Sequence, residues 1–114
     1  MTIQEIATRI SGTALAAAES DLRDYHLAFA SDLMSDVLTV DCVNLILITG
    51  LVNTQTVRTA EMSEVGCIIL ARNKQPTPEM VALAEESNIS LILSSWSVFR
   101  ICGELFCSGI RPVF

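Results

Sequence analysis

Asn44-Leu-Ile-Leu-Ile-Thr49-Gly50-Leu51-Val52-Asn53-Thr54 is the stretch whose reading decides the fold. Its four consecutive aliphatics, Leu45 to Ile48, make a short apolar run that stops at a Thr-Gly turn. A run of this length bounded by turn residues reads as a strand buried on both faces. Helix-compatible residues from Gln55 to Ser63 follow, so the unit is strand, tight turn, helix. Such units build a parallel α/β sheet, where ligands sit in the crevice beyond the carboxyl ends of the strands. The turn is therefore the expected centre of the fold and the first candidate for a site.

Toward the C-terminus the unit recurs. Gly66 ends the helical connection, and Cys67-Ile-Ile-Leu-Ala71 is the next buried strand. Arg72-Asn73-Lys74-Gln75-Pro76 is the most polar loop of the chain. Thr77-Pro78-Glu79 is a helix start, with Thr as N-cap, Pro at the first helical position and an acid near the dipole. That helix runs through Met80, Val81 and Ala84 and stops near Asn88, which tolerates the left-handed conformation. Ile89 to Leu93 is a further strand. Ser94 or Ser95 is predicted to cap a last helix, whose Val98, Phe99, Cys102, Leu105 and Phe106 form an apolar face. Gly103 inside it costs about 1 kcal/mol relative to Ala unless a close backbone approach offsets it. Gly109 ends the helix, and Pro112 blocks its continuation.

Toward the N-terminus, Thr2 caps a helix with an apolar stripe at Ile3, Ile6, Ala7 and Ile10. Gly12 is predicted to close it in the left-handed conformation. Thr13 to Ala17 reads as a strand, Glu19-Ser20-Asp21 as a surface turn, and His26 to Ala30 as a second strand. Ser31 is predicted to cap a short helix from Asp32 to Leu38, with Asp32 complementing its positive end. In the helix after the central turn, Val57, Ala60 and Met62 are expected to face the sheet. The whole reads as a three-layer α/β/α fold with a mostly parallel sheet and right-handed crossovers, in one domain spanning residues 1–114.

The chain has 114 residues, 51% of them hydrophobic and 18% charged. That richness in aliphatics suits a sheet covered on both faces and leaves apolar surface for a partner subunit, so a homodimer is expected. The net charge of −6 and the single lysine, Lys74, argue against nucleic acid, whose phosphates demand clustered cations, and against anionic membrane surfaces. No apolar run approaches the ~20 residues of a membrane span, and the start lacks the pattern of a signal peptide. The expected location is cytoplasmic.

Enzymatic signatures are missing: the chain holds no Walker loop, no G-x-G-x-x-G and no G-x-S-x-G. A Ser-His or Cys-His system would rest on the one histidine, His26, whose apolar strand context suits a structural role better. Cys42, Cys67, Cys102 and Cys107 match no zinc or redox spacing, and buried reduced thiols are expected over a metal set. Asp32 and Asp36 share a helix face in this reading and would hold Mg²⁺ with Asp41 only beside a phosphate partner; solvated, helix-complementing acids are the simpler account. No metal and no cofactor is expected. The turn itself offers small residues, hydroxyls and helix-start N–H groups, the parts of an anion or nucleotide-phosphate site. Thr49, Gly50, Asn53 and Thr54, with Arg58 one turn into the helix and Asp32, are the candidate ligand-binding residues. The simpler reading gives Gly50 a positive φ and makes Asn53 or Thr54 a helix cap, with nothing bound.

Taken in order, Asp32-Leu-Met-Ser-Asp36-Val37-Leu38, Leu47-Ile48-Thr49-Gly50-Leu51, Val57-Arg58-Thr59-Ala60, Lys74-x-Pro76 and Ala84-Glu85 resemble a stand-alone DRTGG-domain protein. The resemblance covers nearly the whole chain, most clearly residues 28–109. The Asp-Arg-Thr-Gly-Gly string that names the family is absent; Thr49-Gly50 stands at the equivalent turn, with Leu51 in place of a second Gly. The resemblance implies a fold similar to the N-terminal domains of HPr kinase/phosphorylase and of Mur ligases. It also implies a non-catalytic regulatory or dimerising module, as in pyrophosphatases that carry CBS domains. A kinase reading is rejected, because the phosphate loop belongs to the other HPr kinase domain. The alternative is a protein-interaction scaffold, tied by association to redox or hydrogenase regulation.

Overall fold

A computed structural model describes residues 1–114. Its centre is β3 (Leu45–Thr49), buried at every position. Leu45 and Leu47 point to one face of the sheet and Ile46 and Ile48 to the other, each into its own hydrophobic core. Both faces are covered, which is why the strand reads as an unbroken apolar run rather than an alternating one. β3 is flanked by β2 (Leu27–Ala30) and β4 (Val65–Leu70), and β4 by β5 (Ser90–Leu93), all parallel. β1 (Thr13–Ala16) adds antiparallel to β5, and the two-residue β6 (Arg111–Pro112) adds parallel to β2. The strand order is β1-β5-β4-β3-β2-β6.

One layer of helices is α1 (Ile3–Arg9) and α5 (Val98–Cys107), packed on Ile46, Ile48, Cys67, Ile69 and Ile92. The other is α2 (Met34–Val37), α3 (Thr54–Met62) and α4 (Pro78–Glu86), packed on Leu45, Leu47, Ile68, Leu70 and Leu91. The architecture is the expected three-layer α/β/α with a mostly parallel sheet. Local chemistry places several ends as read: Thr2 forms a capping box with Glu5, and Thr77 accepts the Met80 N–H ahead of Pro78 at the helix start. Asn88 takes φ 58° beyond α4.

Other expectations are corrected. Gly66 does not end a connection but lies inside β4, where the register with β3 slips between Leu45 and Ile46. Val65 still faces the α3 core while Cys67 faces the α1 core, so Gly66 is the extra residue of a bulge. A Cβ there would stand 2.7 Å from the Tyr25 hydroxyl and 2.8 Å from Arg23 Nη1, so the glycine makes room for two side chains. The left-handed residue after α1 is Ser11, at φ 52°, rather than Gly12; a Cβ on Gly12 would meet Ile92 Cγ2 at 2.6 Å. Ser97 caps α5, because Ser94 is taken by a 2.7 Å hydrogen bond to the Ile10 carbonyl across the sheet edge. Met62, Phe99 and Phe106 are exposed at 73%, 89% and 53%, since Val57 with Ala60 and Ile101 with Leu105 already fill the sheet-facing stripes. Gly103 has nothing within 4 Å of where a Cβ would be, so no close approach offsets its cost to the helix.

Candidate functional site

The carboxyl ends of β2, β3 and β4 meet at one rim of the sheet, where the loops that follow them lie side by side; the crevice there is shallow, and none of the larger cavities is lined by these loops. Thr49 ends β3 fully buried. Asp32 lies ahead of α2, not within it, so it shares no helix face with Asp36. Its carboxylate crosses to the turn instead: Oδ1 accepts the Thr49 hydroxyl at 2.7 Å and the Gly50 N–H at 2.8 Å. The Gly50 N–H holds the Asp32 carboxyl below the usual carboxylate range, aided by the Thr49 hydroxyl and the nearby Lys74 charge, against a smaller opposing effect of burial. An acid thus already occupies the turn that a phosphate would otherwise use. Gly50 is not in the left-handed region, and a Cβ there would lie 3.7 Å from the Asp32 carboxylate, an ordinary contact, so neither backbone angle nor space demands glycine at this position.

Asn53 caps α3: its Oδ1 accepts the Thr56 N–H at 2.9 Å and the Thr56 hydroxyl at 3.1 Å. The capping amide oxygen is therefore used internally. The N–H groups of Thr54 and Gln55 find no acceptor in the chain, as the first turn of a helix requires unless something else supplies one. Arg58 is exposed one turn on, with no ion pair. Of the six candidates, Asp32, Thr49 and Gly50 are in direct contact, Asn53 and Thr54 follow on the same loop, and Arg58 extends from the helix without touching them.

The β4–α4 loop forms the far wall. Arg72 and Asn73 both adopt φ 60°, held by N–H bonds to the Trp96 and Ser94 carbonyls at 2.9 and 2.8 Å. Consecutive non-glycine residues in this region carry strain that surrounding structure must hold. Lys74 follows them toward Asp32. The sequence marks this loop as the most polar in the chain, but only the parallel order of β3 and β4 brings it beside the Thr49-Gly50 turn.

A second polar cluster gathers around Asp21. Asp21, expected in a surface turn, is 6% exposed, and only Ala17–Ser20 before it forms a 3₁₀ turn. Its Oδ2 accepts the Tyr25 and Ser90 hydroxyls, each at 2.6 Å, and its Oδ1 accepts the Arg23 N–H and Nε at 2.9 and 3.0 Å. Burial raises the Asp21 pKa, but the bonds from Ser90, Tyr25 and Arg23 outweigh it and leave the group below the usual range. The network is fully paired and binds the N-terminal segment to β5. His26, expected to be structural in an apolar setting, is instead exposed at the surface beside Asp24, which also pairs with the Met1 amino group. Among the thiols, Cys67 is buried and Cys107 exposed, with Cys42 and Cys102 between; no group of acids, thiols and histidine gathers to hold a metal.

No protein-family model matches the chain, and no curated protein matches it. Among solved structures it is similar to the CBS and DRTGG domains of the regulatory region of Clostridium perfringens pyrophosphatase, determined in complex with an activator, diadenosine tetraphosphate. The likeness has a TM-score of 0.74 at 16% identity and covers 91% of this chain and 45% of that one, so this chain spans less than half of its neighbour. At that identity the likeness is one of fold, and it agrees with the DRTGG-domain resemblance carried by the sequence. No helix is long and apolar enough to cross a membrane.

Proposed function

We propose that this chain is a non-catalytic regulatory module, one domain acting in the cytoplasm, whose carboxyl-end crevice senses a small anionic or nucleotide ligand. The observation that carries this reading is the fold shared with a regulatory region that was solved with a nucleotide activator. The crevice supplies the chemistry. The unpaired Thr54 and Gln55 N–H groups and the Arg58 charge favour an anionic group at the start of α3. The Asp32 carboxylate, fixed by Thr49 and Gly50, keeps its Oδ2 for the hydroxyls of a ribose. Asn53 takes part by holding the helix start in place.

Calorimetric titration with ADP and with diadenosine tetraphosphate tests the reading. Saturable binding is expected, weakened at least about tenfold by Arg58→Glu, the loss of one charge-assisted contact. No binding at millimolar nucleotide would remove the ligand from the proposal.

A second reading, self-association as a homodimer or docking of a protein partner, is favoured by the outer stripe of α5. Phe99 is 89% exposed there, and Gly103 offers a flat approach one turn on. Light scattering with Phe99→Glu tests it: a dimer that becomes a monomer supports this face, and a wild-type monomer at high concentration rejects it.

A further inference from the structure

Ala28 and Ala30 stand on β2 in register with Ile46 and Ile48 of β3. Ile46 and Ile48 point into the core beneath α5, and Ala28 packs on the same side. Two methyl groups where the neighbouring strand carries two isoleucines leave α5 without support at this edge of the sheet. A cavity of about 200 Å³ opens there between the strand floor and Cys102, Leu105 and Phe106 of α5. An apolar cavity of ~150 Å³ accommodates a benzene ring, so this one has room for an aryl ring or a short acyl chain.

Eight of its ten lining residues are hydrophobic, and its only charged one is Arg111. The Arg111 guanidinium lies over the Phe106 ring, 4.7 Å from its centroid, while the backbone N–H is anchored to the His26 carbonyl at 2.8 Å. No acid pairs with it, although the chain carries a net charge of −6. The Arg111 guanidinium makes no hydrogen bond within the chain either, so its N–H donors are free for bidentate contact with a carboxylate. None of the six candidate residues of the strand-end crevice lines this cavity, although Ala30 ends β2 close to that rim.

We infer that this cavity is a second binding site, for a small amphipathic carboxylate whose apolar body rests on Ala28 and Ala30 and whose carboxylate pairs with Arg111. Apolar walls with one placed charge are the usual makeup of a small-molecule site, and the unpaired cation at the rim selects the sign of the head group.

Phenylacetate, with phenylacetamide as its uncharged counterpart, is the probe, followed on the full chain by amide NMR shifts. Phenylacetate is expected to shift the Ala28, Ala30, Leu105 and Arg111 signals and to bind at least about tenfold tighter than the amide, the worth of a charge-assisted pair. Arg111→Gln is expected to abolish that preference while sparing amide binding. Ala30→Leu, at an exposed strand end, is expected to fill the cavity and remove both. Equal affinity for acid and amide, or shifts confined to other residues, would overturn the inference. So would signals at Ala30 and Phe106 that follow protein concentration instead of ligand, because a second copy would then cover the cavity.

Discussion

Replacing Asp21 by Ala removes the acceptor of five hydrogen bonds at once, three from Arg23 and two from hydroxyls. The hydroxyls have no other partner: the Tyr25 and Ser90 side chains are fully buried, and Oδ2 is their only acceptor. A buried donor left unpaired costs about 1–3 kcal/mol, so the two together cost about 2–6. The Arg23 pair is partly solvated and adds at most about 1 kcal/mol. A loss of about 3–5 kcal/mol is expected, a large part of the ~5–15 kcal/mol that holds a domain of this size folded. Asp21→Asn is expected to cost nearly as much despite its shape, because its NH₂ group must face either the two hydroxyls or the Arg23 donors. Tyr25→Phe leaves no donor unpaired and should cost about 1 kcal/mol.

Urea unfolding of the four proteins measures these differences, and repeating it across acidic pH isolates the charge. The Asp21 pKa is lowered in the folded state. Its contribution is therefore complete above the unfolded value of about 3.9 and is lost as pH falls through the lower folded value. Wild type should approach Asp21→Asn in stability across that window and not at higher pH. A cost below about 1 kcal/mol for Asp21→Ala, or wild-type and Asn curves that stay parallel down to about pH 2, would refute the account.

Two further outcomes follow from packing. Gly66→Ala places a methyl group against the Tyr25 hydroxyl, which Asp21 holds fixed, so a loss of about 1–3 kcal/mol is expected in urea unfolding, partly restored when Tyr25→Phe is added. The thiols should label in order of exposure with a disulfide reagent under native conditions: Cys107 at once, Cys42 and Cys102 more slowly, and Cys67 only on unfolding. Burial pushes the Cys67 thiol well above its ordinary value, with the Asp21 charge adding to it, so even transient access would meet an unreactive thiol.

What the sequence makes legible is what one strand or one helix end decides alone. Leu45 to Ile48 needs no neighbour to read as a doubly covered strand, and Thr2, Thr77 and Asn88 act through bonds or backbone angles within their own turn. What escapes is decided by distant partners. Asp21 looks like a surface acid until Ser90, sixty-nine positions away, arrives on β5. Ser94 looks like a cap until the Ile10 carbonyl takes its hydroxyl, which moves the start of α5 to Ser97. Gly12 and Gly66 look like helix breakers, yet each is small because a side chain of another element presses on it. The direction of β1 is set only by its pairing with β5 at the sheet edge, since no crossover helix fixes it.

The same distinction changes the meaning of the central turn. Read alone, Thr49-Gly50 offers a hydroxyl and an N–H group to an incoming phosphate. In the fold both donors already serve Asp32, whose lowered pKa keeps it ionised at neutral pH. A phosphate placed there would meet a fixed negative charge, and the Coulomb cost at such distances is several kcal/mol where water is partly excluded. Any anion in this crevice is thereby directed away from Gly50, toward the α3 amides and Arg58 on one side or Lys74 on the other. The carboxylate is left to face a neutral, hydroxyl-bearing part of the ligand. A ligand combining both parts fits the proposed site better than a bare anion, and that is a property of Asp32 and not of the turn.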